Sequence, residues 1–248
     1  MNASHDFIRS WQPFRVPPMP GAIHVWCLHV DRAFGASLPF YALLDQTERR
    51  RADRFRFERD AVCFILTRAH LRLILASALS IDAAAVRFIH EAAGKPRIEG
   101  EGGPWFNVSH SGGIALIAVA SDRRVGVDIE RIRPIVDHDP AMYFSQEEVR
   151  DLQKLPEQQW ERAFFRGWTR KEAYLKARGD GLGFGLQNFS VALAPDLPPC
   201  LLHVDGYPED PSLWDFWDLT VDPAFSASLV AETPINTDFR GAPTFMVI

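Results

Sequence analysis

Two carboxylates stand two residues apart in the segment RVGVDIERI, residues 124–132. An extended chain sends alternate side chains to opposite faces, so Asp128 and Glu130 are expected side by side on one face of a strand. At about 7 Å, two ionised carboxylates repel by about 2 kcal/mol when the effective dielectric constant is near 20. Either water screens the pair on the solvated face of an edge strand, or the pair binds a hard cation such as Mg²⁺. The segment alone leaves both interpretations open.

A third acid and a base are spaced four residues apart in the segment RGWTRKEAYLKARGDGLG. Residues at this spacing share one face of a helix, which places Glu172 and Lys176 together with Trp168. An exposed pair of this kind contributes about 0.3–0.5 kcal/mol and implies no function. The aromatic and apolar residues around it favour a half-buried Glu172 that needs a partner.

Two turn segments carry groups that suit a phosphate. In AAGKPRI, Gly94 allows close approach of the backbone, Pro96 stiffens the turn, and Lys95 can project an ammonium ion towards an anion. In FNVSHSGG, Ser109 and Ser111 supply hydroxyls and His110 supplies an imidazole, beside two glycines with accessible backbone N–H groups. Both segments are also compatible with ordinary polar turns, and residues adjacent in sequence do not suit a Ser–His nucleophile pair.

A basic run, RRRADR, occupies residues 49–54 and precedes an apolar helix pattern. Most runs of this kind are solvated surface. If one or two of these arginines bind the outer phosphate of a nucleotide, Arg51 and Arg68 are the candidates, because the run leads into that helix.

The elements that must position these groups alternate between strand and helix patterns, which predicts a mixed α/β fold. Strand patterns fall at residues 22–31, 85–110 with glycine-rich interruptions, 113–121 and 124–132, and then at 188–194, 199–205, 213–221 and 225–232. Helix patterns fall at residues 38–55, 60–79 and 144–153, and from about Pro156 to Ala177, where Gly179 follows.

Two local similarities indicate an internal duplication. LLDQTERR around Gln46 is similar to YFSQEEVR around Gln146, and LTRAHLRLILA is similar to WTRKEAYLKA, each at an offset of about 100 residues. The duplication predicts an N-terminal half at residues 1–122 and a C-terminal half at residues 123–248. A ligand cleft is expected between them, where small-molecule sites often lie.

Composition limits the partners of the chain. Its 248 residues are 47% hydrophobic, which is ordinary for a globular protein, and the net charge of -5 argues against general affinity for nucleic acid or anionic membrane. The three cysteines lack disulfide or zinc spacing and are expected to be reduced thiols. We therefore expect a cytoplasmic protein that neither enters a secretory route nor spans a membrane.

The ordered set GKP, FNVSHS, VGVDIE and WTRKEAYLKA resembles the Sfp-type 4'-phosphopantetheinyl transferases over about residues 48–195. The resemblance implies a monomer of two similar α/β halves related by a pseudo-twofold axis, with the active site in the cleft between them. It also implies coenzyme A as substrate, Mg²⁺ as cofactor and an acyl or peptidyl carrier protein as partner. A carrier serine would attack the β-phosphorus of coenzyme A and release adenosine 3',5'-bisphosphate.

The resemblance also implies roles for individual residues. Asp128, Glu130 and Glu172 match the metal-associated acids, and Glu172, Lys176 and Asp128 match the catalytic group. Glu172 is the first choice for the general base, and a water positioned by Glu130 or Glu172 is the alternative. The residues that match coenzyme A-binding positions are Arg51, Gly94, Lys95, Pro96, Ser109, His110 and Lys176.

Two other classes of protein are compatible with the same residues. A Mg²⁺-dependent phosphohydrolase would cleave coenzyme A or a nucleotide without a protein acceptor. A module that only binds coenzyme A or a carrier protein would be indifferent to Mg²⁺ and to changes at Asp128 or Glu172.

Overall fold

The computed structural model describes residues 21–30, 37–91, 94–135, 139–179, 181–194, 197–206, 210–234 and 241–248, so the proline-rich segment near the start lies outside the described residues. The helices are α1 (Ser37–Tyr41), α2 (Gln46–Ala52), α3 (Glu58–Leu79), α4 (Gln146–Gln153) and α5 (Glu157–Arg178). The strands are β1 (Ile23–His29), β2 (Phe88–His90), β3 (Pro96–Ile98), β4 (Trp105–Ser111), β5 (Ile114–Ala120), β6 (Val125–Arg131), β7 (Phe189–Val191), β8 (Leu201–Val204), β9 (Trp214–Asp218), β10 (Phe225–Glu232) and β11 (Thr244–Val247).

Two β-sheets packed face to face form the centre of the fold. The first has the strand order β11-β1-β5-β4 and the second has the order β6-β10-β9. Helix α3 packs on the outer face of the first sheet, and helix α5 packs on the outer face of the second. The structure therefore confirms the expected mixed α/β class with two similar halves.

The core between the two sheets determines which way the acids of β6 face. Val125, Val127 and Ile129 are fully buried in this core, against apolar side chains of β1 and β5. Because side chains alternate along a strand, Asp128 and Glu130 lie on the opposite face, towards helix α5. The two acids therefore lie under the helix that carries the other chemical groups.

The two halves repeat one structural device at the start of their shorter helices. Helices α2 and α4 both begin with a capping box, in which the third helical residue is a glutamate. Each glutamate is buried and binds a buried cation of the following long helix: Glu48 binds Arg72 Nε at 2.7 Å, and Glu148 binds Lys171 Nζ at 2.5 Å. A buried carboxylate needs such a partner, so the sequence similarity between these helix starts corresponds to a repeated local structure.

Helix α3 is the one helix in the described ranges that is long and apolar enough to cross a membrane. Its most apolar window is 61% buried within the protein. Arg72 on this helix is fully buried and donates to the carbonyls of Ala83 and Val86 at 3.1 and 2.9 Å. The apolar side chains of α3 therefore belong to the core that it forms with the first sheet.

The end of the chain returns to the first sheet. Strand β11 pairs in parallel with β1, with His24 opposite Thr244 and Cys27 opposite Val247. The C-terminal tail belongs to none of the sequence motifs, but this pairing shows that it forms a strand of the first sheet. The division into residues 1–122 and 123–248 stays a prediction, and the final strand of the second segment completes the sheet of the first.

Candidate active site

Asp128 and Glu130 share one face of β6, as their spacing predicts. Asp128 is only 3% exposed and Glu130 is half-buried. Strand β6 is an edge strand of its sheet, but this burial excludes a fully solvated outer face for the pair. The repulsion between the carboxylates is therefore not relieved by water alone.

The free edge of β6 is covered by side chains of β4 from the other half. Three alternate residues of β4, Asn107, Ser109 and Ser111, present side-chain oxygens to three alternate backbone N–H groups of β6. We call these three residues the β4 polar ladder. The pairs are Val127 N to Asn107 Oδ1 at 2.9 Å, Ile129 N to Ser109 Oγ at 3.4 Å, and Arg131 N to Ser111 Oγ at 3.1 Å. The ladder satisfies backbone donors that a buried edge would leave unpaired, and it joins the halves.

The hydroxyls of the ladder also bind the acids. Ser109 Oγ donates to Asp128 Oδ1 at 2.8 Å, and Ser111 Oγ donates to Glu130 Oε2 at 2.9 Å. The sequence indicated the hydroxyls of Ser109 and Ser111, whereas Asn107 and the pairing of all three residues with backbone N–H groups of β6 were missed. The period of two in FNVSHS, with polar residues at alternate positions, was the pattern that could have identified them.

Helix α5 lies directly on β6 because residue 126 is glycine. A Cβ atom on Gly126 would lie 2.1 Å from Ala173 O and 2.4 Å from Ala177 N. Any side chain at this position would therefore collide with the backbone of the helix. The helix is preceded by Pro156 and ends at Arg178, before Gly179 with φ 88°, close to the predicted bounds.

Lys176 reaches across from the helix to the strand. Its Nζ donates to Asp128 Oδ1 at 2.6 Å and to Ser109 Oγ at 3.1 Å. The side chain of Lys176 is 28% exposed and that of Asp128 is 4% exposed. Lys176 therefore belongs to a partly buried polar cluster between the two halves, and is more than the solvated helix residue that its spacing alone allows.

The acids of the cluster outnumber the cations that face them. Burial raises the pKa of Glu172, the neighbouring carboxylates of Asp128 and Glu130 raise it further, and Lys176 opposes them. Burial also raises the pKa of Glu130, although its hydrogen bond from Ser111 works in the opposite direction. Lys176 and the exposed guanidinium group of Arg133, whose Nη1 lies 3.9 Å from Glu130 Oε2, thus face three acids, and additional positive charge would stabilise all three in their ionised form.

The donor chemistry of this cluster fits a hard divalent cation. Asp128 Oδ2 is buried and has no hydrogen-bond partner among the residues that the structure describes. A buried carboxylate oxygen without a partner is unfavourable unless a ligand approaches it. In the described part of the chain, no three acids or imidazoles converge closely enough to hold a metal as they stand. The carboxylate oxygens of Asp128, Glu130 and Glu172 are the kind of ligand that Mg²⁺ prefers, and the partner-free Oδ2 of Asp128 is available to bind one. All three acids can coordinate the same ion only if their side chains rotate.

A cavity of about 250 Å³ lies between the two halves beside this cluster. Gly94, Lys95 and Pro96 line it from the first half, and Glu172 and Lys176 line it from the second. The structure therefore brings together five of the residues that the sequence indicated, across more than eighty positions of the chain.

Lys95 does not point into this cavity as a free cation. Its Nζ donates to the carbonyl oxygens of Lys176 and Ala177, the latter at 3.2 Å, and to Val125 O at 3.4 Å. Burial lowers the pKa of Lys95 to about 8. The placement differs from the expected one, in which the ammonium ion projects towards a phosphate.

His110 and Arg51 occupy more open positions. His110 is exposed and lines a second cavity, of about 380 Å³, together with Arg59 and Arg131. Arg51 is exposed on α2, its guanidinium group stacks 5.0 Å from the centre of the Phe64 ring, and it lines neither cavity. The structure thus places His110 beside a basic surface depression and leaves Arg51 apart from the central cluster.

Arg68 is held by contacts within the first half of the protein. It forms a buried ion pair with Glu48, and its guanidinium group lies 3.9 Å from the centre of the Phe88 ring. Burial lowers the pKa of Arg68. An arginine with both a carboxylate and an aromatic partner is poorly placed to bind an outer phosphate as well.

Comparisons with known proteins agree with the fold in two halves. Residues 37–122 match the family model "4'-phosphopantetheinyl transferase, N-terminal", and residues 124–230 match the model "4'-phosphopantetheinyl transferase superfamily". The 4'-phosphopantetheinyl transferase HetI of Nostoc sp. (strain PCC 7120 / SAG 25.82 / UTEX 2576) is 38% identical over 181 residues, which cover 71% of this chain and 76% of that protein.

Two further relatives carry the same name. The 4'-phosphopantetheinyl transferase psf-1 of Bacillus pumilus is 34% identical over 187 residues, covering 75% of this chain and 78% of the relative. The transferase Sfp of Bacillus subtilis (strain 168) is 28% identical over 200 residues, covering 79% and 85% of the two chains.

The chain belongs to the 4'-phosphopantetheinyl transferase family. It is accordingly an enzyme of the transferase class, as its relatives are. The resemblance to the Sfp type and the expected enzyme class are both confirmed, whereas the roles of individual residues stay predictions.

Proposed function

We propose that the protein transfers the 4'-phosphopantetheine arm of coenzyme A to a serine hydroxyl of an apo acyl or peptidyl carrier protein. The reaction depends on Mg²⁺ and releases adenosine 3',5'-bisphosphate. The observation that carries this proposal is the cluster of the buried Asp128 with the half-buried Glu130, Glu172 and Lys176, in which Asp128 Oδ2 has no partner among the described residues.

Coenzyme A is proposed to bind in the cleft between the halves. The Gly94–Pro96 turn lines the cavity beside Glu172, and Gly94 adopts φ +85° with open space around its Cα atom. The backbone of Gly94 can therefore approach a flat or anionic group of the ligand closely. Because the chain has a net charge of -5, the phosphates must be bound by local groups.

The groups proposed for those phosphates lie on both sides of the acid cluster. Lys176 is the cation nearest to Asp128, and Ser109 and the exposed His110 follow each other on β4. Arg51 is further out and would bind an outer phosphate only. These contacts would orient the diphosphate along the edge between the two halves.

Asp128, Glu130 and Glu172 are proposed to hold the divalent cation. When bound there, Mg²⁺ would supply positive charge that stabilises the diphosphate as the bond to the leaving phosphate breaks. Asp128 contributes the partner-free oxygen, and Ser111 keeps Glu130 in place through its hydrogen bond.

Glu172 and Lys176 are proposed to move and balance charge in the transfer. Burial raises the pKa of Glu172, so its carboxylate is a stronger base than that of an exposed glutamate and can accept the proton of the serine hydroxyl. The ammonium ion of Lys176 neutralises charge that develops on the leaving phosphate. A water positioned by Glu130 or Glu172 is the alternative proton acceptor.

The carrier protein is proposed to dock beside Glu130. A groove of about 320 Å³ opens there. Its aromatic and apolar lining is interrupted by one exposed cation, Arg133, whose side chain is 66% exposed. Such a surface suits an acidic helix with an apolar face. Neither nucleic acid nor membrane has a role in this proposal, and the enzyme is proposed to act as a cytoplasmic monomer.

The test is intact-protein mass spectrometry of purified apo acyl and peptidyl carrier proteins after incubation with the enzyme and coenzyme A. The proposal expects a gain of one phosphopantetheine arm, with Mg²⁺ present and with the acceptor serine intact. A carrier with that serine replaced by alanine is the control. Cleavage of coenzyme A without modification of any carrier would identify the phosphohydrolase instead.

A further inference from the structure

The C-terminal end of helix α5 carries the catalytic cluster and is capped completely. The last four carbonyl groups of an α-helix have no partner within the helix. All four have one here, and two of the four bind a single residue from the other half of the protein. The contacts are Gly179 N to Leu175 O at 2.9 Å, Lys95 Nζ to Lys176 O, Lys95 Nζ to Ala177 O at 3.2 Å, and Arg124 Nη1 to Arg178 O at 3.2 Å.

Lys95 uses its full hydrogen-bonding capacity in this position. An ammonium group has three donors, and Nζ contacts three carbonyl oxygens, on Lys176, Ala177 and Val125. No donor remains for a phosphate while these contacts last. A positive charge at the C-terminal end of a helix also interacts favourably with the helix dipole.

The contacts of Lys95 tie three parts of the site together. Val125 begins β6 and precedes Gly126, on which the helix rests, and Lys176 supplies both a carbonyl to Lys95 and an ammonium group to Asp128. The turn before β3, the start of β6 and the last turn of α5 therefore meet at one ammonium ion. Loss of that ion would leave two carbonyl groups of the last turn unpaired.

We propose that Lys95 is a positioning residue, whose ammonium group caps helix α5 and holds Glu172 and Lys176 against β6. This inference rests on the proposed function, since it concerns the placement of that site. It replaces the phosphate-binding role that the family resemblance implied for this side chain, while Gly94 and Pro96 keep their proposed place at the ligand.

The first experiment is hydrogen–deuterium exchange on the full-length protein without coenzyme A, Mg²⁺ or carrier. Lys95→Met is expected to accelerate exchange of the amides at residues 176–179 by about tenfold or more, because the last turn loses its cap. Lys95→Arg, which retains donors, is expected to restore part of the protection. Arg87→Met removes an exposed cation at the start of the same hairpin and is the control with wild-type exchange.

Peptides from α3 in the same experiment report whether the fold survives. If Lys95→Met unfolds the whole protein, Lys95→Gln takes its place: it has no charge and two donors instead of three, so exchange at residues 176–179 is expected to rise by about threefold or more. Wild-type exchange at residues 176–179 in a folded Lys95→Met or Lys95→Gln variant would overturn the proposal, whatever its activity.

Kinetics provide the second measurement. A positioning role predicts that kcat of Lys95→Met falls by about tenfold or more while KM for coenzyme A changes by less than about threefold. A raised KM with unchanged kcat and unchanged exchange would instead establish phosphate binding and reject the cap. If the wild type transfers nothing, the proposed function fails, and the exchange experiment still decides the role of Lys95.

Discussion

Replacing Gly126 by alanine places a methyl group where the backbone of helix α5 already lies. The new Cβ atom would be 2.1 Å from Ala173 O, 2.4 Å from Ala177 N and 2.9 Å from the carbonyl carbon of Lys176. Ordinary contact begins at 3.4 Å, so the helix must withdraw from β6 by about 1 Å. Backbone atoms of a helix cannot rotate away as the end of a flexible side chain can.

Withdrawal of the helix is expected to lower both the free energy of unfolding and kcat. Overpacking of this kind lowers the free energy of unfolding by about 1–3 kcal/mol. It also stretches the 2.6 Å contact between Lys176 Nζ and Asp128 Oδ1 beyond hydrogen-bond distance. Displacement of catalytic groups by about 1 Å can lower the rate by about 100-fold, so kcat of Gly126→Ala is expected to fall by that order.

The assay combines initial rates of carrier modification with urea denaturation of the same preparations. Gly183→Ala is the matched control, because nothing lies within 4 Å of the Cβ position on Gly183. A Gly126→Ala protein with the wild-type rate and a free energy of unfolding within about 0.5 kcal/mol of wild type would refute the argument that this glycine sets the position of helix α5 and of the catalytic groups proposed on it.

The remaining predictions concern the acids, the β4 polar ladder and one buried histidine. Asp128→Asn removes the carboxylate charge that the partner-free Oδ2 atom shares, and should lower transfer by about 100-fold or more at limiting Mg²⁺ without unfolding the protein. A wild-type dependence of the rate on metal concentration would contradict this prediction. Ser111→Ala removes the 2.9 Å hydrogen bond to Glu130 and should lower kcat about 3- to 10-fold, whereas an unchanged kcat would exclude an orienting role. Burial lowers the pKa of His70 from 6.5 to about 4. The neutral, buried imidazole therefore contributes fully to the free energy of unfolding above pH 6.5, and this contribution, up to about 3 kcal/mol, is lost as the pH falls towards 4. Urea unfolding at about pH 7 and about pH 4 should therefore show a smaller difference for His70→Leu than for wild type or for His90→Leu, the control at an exposed histidine, and equal differences would contradict the assignment.

Local patterns in the sequence were sufficient for the elements that carry the acids. The alternation in RVGVDIERI predicted that Asp128 and Glu130 share a face, and β6 places them so. The helix expected from about Pro156 to Ala177 is observed at Glu157–Arg178, since a proline before it and a glycine after it are reliable helix boundaries. Such predictions depend on periodicity, which a single chain segment contains.

Contacts between distant segments could not be predicted in the same way. The spacing of Asp128 and Glu130 did not decide between a solvated edge and a buried site, because the covering residues come from β4 in the other half. Lys95 resembled a phosphate ligand in its turn, but its actual partners are carbonyl groups about 80 positions later. Backbone acceptors leave no pattern in the sequence.

Glycine illustrates the same limit. The sequence indicated Gly94 as a place for close approach of a ligand, whereas the tightest packing at a glycine near the site occurs at Gly126, inside a strand. A glycine within a strand indicates close approach of another backbone, but the identity of that backbone depends on the tertiary fold. The role of Gly126 therefore becomes apparent only when helix α5 is in place.

The most direct test of the proposed transfer is to quantify both products in one reaction. Apo carrier protein, coenzyme A and enzyme are incubated with and without Mg²⁺, and the amounts of modified carrier and of adenosine 3',5'-bisphosphate are measured together. The proposed mechanism predicts equal amounts of the two products, formed only with Mg²⁺ and an intact acceptor serine. Nucleotide released in excess of modified carrier, or neither product with any acyl or peptidyl carrier, would contradict it.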